Sequence, residues 1–326
     1  MNNVEKNTEA SVSSTSHEMD TGYPIKSAIA TLAISFAYLV FIHYSIGLRV
    51  DHVAIIGLYN IGFLAHRKTR TLISALAIFL VFGVLYDIMK IYPNHLVNTV
   101  DIENIYDLEK HIFGIASNGN VLTPNEYFSS NHNVFMDIAT GLFYLNWMSV
   151  PILFGLYLLK KNKRRYLHYA FAFLLVNILG FCIYYLYPAA PPWYIDQYGF
   201  VFHQTATGSA AELVRFDEYL SCNIFQSIYT RNSNVFAAVP SLHSAYPVVV
   251  LFYAMKTSGR AMLTFSAVFM LGIWFSAVYS GHHYVLDVVL GVLCALVGIA
   301  IFHYGILKLD IVRRALLKYE RFISNT

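Results

Sequence analysis

Long apolar runs alternate with short polar breaks along most of the chain. Eight such runs stand out, at about 26–46, 52–65, 71–90, 133–159, 166–187, 235–255, 261–279 and 284–305. A helix that crosses a bilayer needs roughly 17 to 25 residues, so the second run is short and the others suffice. No fixed-period repeat links them. Only helices and closed barrels satisfy their backbone polar groups in lipid. The pattern therefore predicts an all-α, polytopic membrane helix bundle of about eight spans.

The flanks differ from this core. Residues 1–25 are rich in Asn, Ser, Thr and Glu and contain no apolar run, which predicts a disordered tail rather than a cleaved leader. A membrane catalytic domain is expected over residues 26–305, followed by a basic C-terminal segment, 306–326. The segment Asp101 to Ile115 reads as a helix on the surface, with Leu108, Ile112 and Phe113 as an apolar stripe. An ordinary loop helix fits it equally well.

Composition agrees with the pattern. The 326 residues are 57% hydrophobic and 13% charged, where soluble domains carry about 25% charge. A net charge of +3 gives no footprint for nucleic acid. The three cysteines, Cys182, Cys222 and Cys294, are too scattered for a zinc site or a disulfide framework. The cations instead sit in short clusters: His66-Arg67-Lys68-Thr69-Arg70, Lys160 to Arg165, Lys256 with Arg260, and Lys308 to Arg321. With eight spans, each cluster follows an even-numbered run. All then share one side, which the positive-inside rule makes cytoplasmic, with both termini there. Without the second run as a crossing, the first cluster would fall opposite the rest. The other, noncytoplasmic face then receives residues 91–132, the loop near 188–234, and the turn at Gly281 to His283.

Two histidine motifs fall on that face. His283 and Asp287 are four apart and share a helical face if the last run has begun. A carboxylate there can accept a hydrogen bond from one ring nitrogen, fix the tautomer and leave the other nitrogen nucleophilic. The same spacing suits a structural pair that locks a helix start. His243 follows Pro240 and Ser241 at another helix start, where Pro240 suits the first turn and free N–H groups favour phosphate. His243 can exchange a proton with an alcohol, or can simply be an interfacial histidine.

Other candidates are binding residues. Tyr187-Pro188-Ala189-Ala190-Pro191-Pro192-Trp193-Tyr194 ends the fifth run, where it reads either as a stiff aromatic anchor or as a wall of a headgroup pocket. Arg215 and Arg231 are the arginines of the long outer loop; Arg231, nearer Pro240, can clamp a phosphate or be a solvated loop arginine. Asp137 sits near the start of the fourth run and can cap or hydrate it. His282 can face headgroups while its neighbour faces the pocket. His282, His283 and Asp287 are possible ligands on paper, but no further ligand is placed beside them, so no metal is expected.

These motifs resemble those of the type 2 phosphatidic acid phosphatase (PAP2) superfamily, and more closely its aureobasidin-sensitive branch, the inositol phosphorylceramide synthases. Pro240-Ser241-Leu242-His243-Ser244 is similar to the phosphatase Pro-Ser-Gly-His motif. Ser280 to Asp287 is similar to the third motif, and Pro191-Pro192-Trp193-Tyr194 to the synthase signature. The resemblance covers about residues 71–305 and implies a PAP2-like six-helix core. Two features depart from the phosphatases: Ser276-Ala277 stands where they carry Ser-Arg, and their first lysine and Arg-Pro motif is absent. The resemblance implies His283 as nucleophile, Asp287 as its orienting carboxylate and His243 as acid/base. Ser241, Tyr187, Pro192, Trp193, Tyr194, Asp137, His282 and Arg231 would line the substrate site. It implies transfer of phosphoinositol from a phosphatidylinositol-like donor to ceramide or dihydroceramide, among membrane lipids, through a phosphohistidine and with no cofactor. The competing readings are a lipid phosphate or polyprenyl pyrophosphate phosphatase, and a transporter or membrane scaffold.

Overall fold

A computed structural model describes residues 25–231 and 234–324, so the expected tail at 1–25 lies almost wholly outside the described residues. Residues 1–60 and 61–326 form two compact units. The first carries α1 (Ile25–Ser45) and most of α2 (Val50–Ala65), with a hydrogen bond of 3.1 Å from the Ser35 hydroxyl to Asn60 Oδ1.

The second unit begins with α3 (Arg67–Ile88). An outer segment follows, holding α4 (Glu103–Phe113), a small antiparallel ribbon of β1 (Ile115–Ser117) and β2 (Asn120–Leu122), and α5 (Pro124–Ser130). Then come α6 (Val134–Leu145), α7 (Ser149–Lys161) and α8 (Lys163–Leu186). Three short helices, α9 (Pro192–Tyr198), α10 (Val214–Tyr219) and α11 (Ile224–Tyr229), punctuate the long loop. The chain ends with α12 (Leu242–Thr257), α13 (Arg260–Tyr279), α14 (Val285–Ala300) and α15 (Asp310–Ser324).

Every apolar run is helical, yet the count of eight spans is not met. Among the described residues five helices are long and apolar enough to cross a membrane, or six if α6 and α7 form one bent span. Three local causes account for the difference. The second run makes only 16 residues of helix. The fourth breaks by 46° between α6 and α7, where Asn146 closes the first helix and Pro151 sits in the first turn of the next. The sixth starts late, because residues 235–241 are non-helical, a turn followed by one bridge residue and a bend. Ala189 pairs with Ala237 there, and Phe236 O accepts from Ala189 N at 3.2 Å and from Asn94 Nδ2 at 2.7 Å. Pro240 precedes the helix rather than opening it: Ser241 is the N-cap, its Oγ accepting from Ser244 N at 3.3 Å.

The bundle buries a set of polar side chains within an apolar core and presents apolar stripes outward. Asn177, Ser244, Ser276 and Asp287 are fully buried, while Phe265, Val268, Leu271 and Phe275 make an exposed stripe along α13 and Leu293, Leu296 and Val297 another on α14. This multi-span membrane bundle has α12 at its centre, against α8, α13 and α14. The basic C-terminal segment folds as α15 and packs on α3 and α8; its Ile323 is fully buried and its Tyr319 hydroxyl reaches Ser74 O.

One glycine sets the closest crossing. A Cβ on Gly291 of α14 would lie 2.2 Å from Ser241 O, so only glycine lets α14 lie against the cap of α12. Gly→Ala in a helix interior normally stabilises by about 0.5–1 kcal/mol. Gly291→Ala is expected to reverse that sign and destabilise by roughly 1–3 kcal/mol through overpacking. Thermal melting of the purified protein in detergent checks this, and an unchanged or raised midpoint would contradict the crossing.

Candidate active site

The α12–α14 crossing brings the two motifs together. Ser241 N donates to Asp287 O at 2.9 Å, fixing the start of one helix on the first turn of the other. One turn along α12, His243 Nδ1 lies 3.1 Å from His283 Nε2. On the far side of the same ring, His283 Nδ1 lies 3.4 Å from Asp287 Oδ2, an ion-pair distance with no hydrogen bond made to that nitrogen. The three side chains form a row, His243–His283–Asp287.

The row has a definite proton logic. With the Nδ1 proton of His283 directed at Asp287, Nε2 is a lone pair that faces His243 Nδ1–H. Burial holds the His283 imidazole down to about 4, so the ring is neutral, as a nucleophile must be. Asp287 Oδ2 also accepts from Tyr284 N at 2.9 Å, which ties the carboxylate to its own helix start.

The turn that carries His283 is held by its backbone. Gly281 adopts φ +72°, the left-handed region where glycine carries no penalty. His283 N donates to Ala277 O at 3.0 Å, Trp193 N to Gly281 O at 3.0 Å, and Glu212 N to Ser280 O at 3.2 Å. Asn125, buried on α5, donates one amide nitrogen to both Val278 O at 2.7 Å and His283 O at 2.9 Å.

Aromatic rings wall the row. Trp147, in the α6–α7 break, meets the His243 ring edge-on at 4.7 Å between centroids, and Tyr144 lies 5.0 Å from it. His282 sits between Tyr144 at 5.3 Å and Tyr229 at 4.3 Å, with Nδ1 3.1 Å from Ser280 Oγ. Its Nε2 is buried with no hydrogen-bond partner, and the buried Tyr144 hydroxyl lies against that of Tyr229.

The remaining candidates fall elsewhere in the fold. Asp137 is fully engaged by Arg215 Nε at 2.9 Å, the Tyr279 hydroxyl at 2.9 Å and His132 Nδ1 at 3.3 Å. Arg215 is divided between Asp137 and Glu212, with one guanidinium nitrogen left buried and unpaired. Arg231 is exposed on the turn after α11; Tyr229, two residues earlier, is what touches His282. Tyr187 bonds Asp101 through its hydroxyl. Pro192 opens α9, Trp193 braces the His283 turn through its backbone, and the buried Tyr194 hydroxyl donates to Val201 O at 2.9 Å and accepts from His203 N at 2.8 Å. The Pro-Pro-Trp-Tyr stretch thus makes the contacts of a stiff brace. Among the described residues no cluster of three or more His, Cys, Asp and Glu is arranged to hold a metal.

The sequence reading missed Tyr144, Trp147, Tyr229 and Asn125. The polar Asn146 within an apolar run was the one signal for the break that places Trp147. Nothing in the pattern marked Asn125, which acts across more than 150 residues.

With this geometry in view, residues 121–301 match the PAP2 superfamily. The chain belongs to that superfamily. It is 46% identical over 301 residues to the phosphoinositol dihydroceramide synthase of Bacteroides thetaiotaomicron, covering 92% of this chain and 99% of that enzyme. The inositol phosphorylceramide synthase of Candida albicans is 30% identical over 129 residues, 39% of this chain and 27% of its own length. The catalytic subunit of the same enzyme from Saccharomyces cerevisiae is 31% identical over 133 residues, 40% of this chain and 31% of its own. No solved structure matches the chain.

Asn125→Ala removes the shared donor from two buried carbonyls. It is expected to lower stability by roughly 1–3 kcal/mol, and Asn125→Asp, which offers no donor, at least as much. A melting midpoint unchanged in both variants would contradict the clamp.

Proposed function

We propose that this protein transfers phosphoinositol from a phosphatidylinositol-like donor to a ceramide or dihydroceramide acceptor, releasing diacylglycerol. The row His243–His283–Asp287 carries the reading, because it joins a neutral imidazole nucleophile, its orienting carboxylate and a second imidazole on one line. Similarity along nearly the whole length of the Bacteroides enzyme supplies the substrate class.

The reaction runs in two displacements. His283 Nε2 attacks the donor phosphorus, an N–P bond forms, and the P–O bond to diacylglycerol breaks. His243 gives its proton to that leaving alkoxide. The phosphoinositol group stays on His283, now a cationic ring that Asp287 stabilises through Nδ1. The acceptor hydroxyl then gives its proton to His243 and attacks phosphorus. The N–P bond breaks and His283 returns as the neutral base. His282 Nε2, buried and unpaired, and the Tyr144 hydroxyl beside it are the donors we assign to the phosphoryl oxygens. Ser241 holds the α12 cap rather than the phosphate in this scheme, while Tyr187, Pro192, Trp193 and Tyr194 shape the outer wall and Arg231 meets the headgroup from the rim.

The site faces away from the cytoplasm. The helices support this without a span count. α3, α8 and α13 begin at Arg67, Lys163 and Arg260, α7 ends at Lys161, and α12 carries Lys256 in its last turn. The row lies at the opposite ends, where α12 and α14 start. Cations mark the cytoplasmic end, so the row takes the other.

Purified protein in vesicles with headgroup-labelled phosphatidylinositol is expected to form labelled sphingolipid only when ceramide is added. Inositol phosphate released without ceramide would instead mean hydrolysis. His283→Ala should abolish product. Asp287→Asn, which turns an amide toward the ring and favours the wrong tautomer, should slow transfer by roughly 10⁴-fold. Full turnover in either variant would contradict the assigned roles.

A further inference from the structure

The outer helix α4 was read either as a surface helix with Leu108, Ile112 and Phe113 as its apolar stripe or as an ordinary loop helix. Leu108 and Ile112 are about half exposed, and the face that packs inward carries Ile105 and Glu109. Ile105 joins Ala238, Val239 and Tyr284 in a small core beneath the His283 turn. Glu109 is completely buried. Its Oε1 accepts from Val285 N at 2.9 Å and its Oε2 from Leu286 N at 3.0 Å. These are the first N–H groups of α14, which have no partner within the helix.

A buried glutamate is rare and needs a reason. Here it closes the accounting at the start of α14. Asp287 takes Tyr284 N, and Glu109 takes the next two donors, so one carboxylate from 176 residues away completes the cap. The capped turn lies directly between His283 and Asp287. Any shift of Val285 or Leu286 changes the distance across that pair.

We propose that Glu109 is a positioning residue for the His283 turn: its carboxylate fixes the first turn of α14, and with it the His283–Asp287 pair, and a proton on Glu109 releases that hold. The carboxylate accepts two N–H groups with two oxygens. Protonation turns one oxygen into a hydroxyl, which leaves one buried N–H without a good acceptor.

The surroundings make this protonation accessible. Burial raises the Glu109 carboxyl to about 7; the two N–H donors oppose the rise and the Asp287 charge adds to it. Tyr284 in the turn, Tyr106 on α4 and Asp196 on α9 are the other titratable groups of this cluster. Asp196 is itself pushed up to about 6 by burial, with Glu212 and Glu126 adding to it. Among the described residues Lys110 is the nearest cation on α4, and its ammonium is engaged by the Tyr106 hydroxyl at 2.9 Å. The sign follows. As pH rises through about 7 the two-oxygen cap forms; as pH falls through it the cap is lost. His283, held near 4, stays neutral across that window and is not the source of the effect.

Two measurements on the full-length protein in lipid nanodiscs test this. The first is hydrogen–deuterium exchange of the peptide spanning residues 278–290, corrected for the intrinsic pH dependence. Wild-type protection is expected to fall by roughly tenfold from pH 8 to pH 6, and Glu109→Gln, which can accept at only one oxygen, to be low at both. Protection in Glu109→Gln equal to wild type at pH 8, or no pH effect in wild type, overturns the proposal. The second rests on the transferase reading above: in the vesicle assay Glu109→Gln should lower kcat by roughly ten- to a hundredfold, leave KM for the donor unchanged and abolish the acid limb near pH 7. An acid limb that survives in Glu109→Gln assigns it to Asp196 or another group and overturns the gating. Absence of ceramide-dependent product in wild type defeats the transferase reading alone, and the exchange arm still decides on Glu109.

Discussion

The approach of α14 to the cap of α12 is the constraint on which the rest depends. It needs Gly291, because any side chain there would strike Ser241 O, and it is fastened by Ser241 N on Asp287 O. Both contacts lie within one helical turn of the row. They bring the two motifs close enough for His243 to lie 3.1 Å from His283, with Trp147 and Tyr144 against the one ring and Asp287 against the other. The two motifs are 40 residues apart in sequence and come from helices that share no turn. Backbone contact, rather than side-chain attraction, makes them one site.

The second requirement is a rigid turn between α13 and α14. That turn is short and has a glycine, Gly281, in a left-handed conformation at its second position. Its own helices leave several carbonyls and N–H groups unpaired. Segments outside the bundle supply the partners: Trp193 and Glu212 through their backbones, Asn125 through its amide and Glu109 through its carboxylate. The outer segments therefore act as a brace on the nucleophile. Because each contact replaces water at a buried polar group, losing one leaves a desolvated orphan. The cost appears in the geometry of His283 as well as in stability.

The proximity of His243, His283 and Asp287 was legible in the sequence, because i, i+4 spacing and the basic clusters are local signals. Apolar runs located every major helix. The span count failed where local chemistry overrode hydropathy: residues 235–241 are largely apolar but non-helical, with Ala237 bridged to Ala189 and Pro240 ahead of the helix cap. The bend at Asn146 divided another run. Asp137 is bonded to Arg215, Tyr279 and His132, partners that no spacing rule connects. Asn125 and Glu109 were hidden for the same reason. Each acts at a range beyond 150 residues, and a polar residue in an outer loop is by default solvated.

The covalent step is the central claim, and trapping it is the most direct test. Protein with headgroup-labelled phosphatidylinositol and no acceptor, quenched in alkali, is digested and its peptides are analysed by mass spectrometry. A phosphoinositol adduct on the peptide containing His283, lost when ceramide is added before the quench and absent in His283→Ala, is the result the account predicts. An adduct on His243, or ceramide-dependent product from His283→Ala, would contradict it.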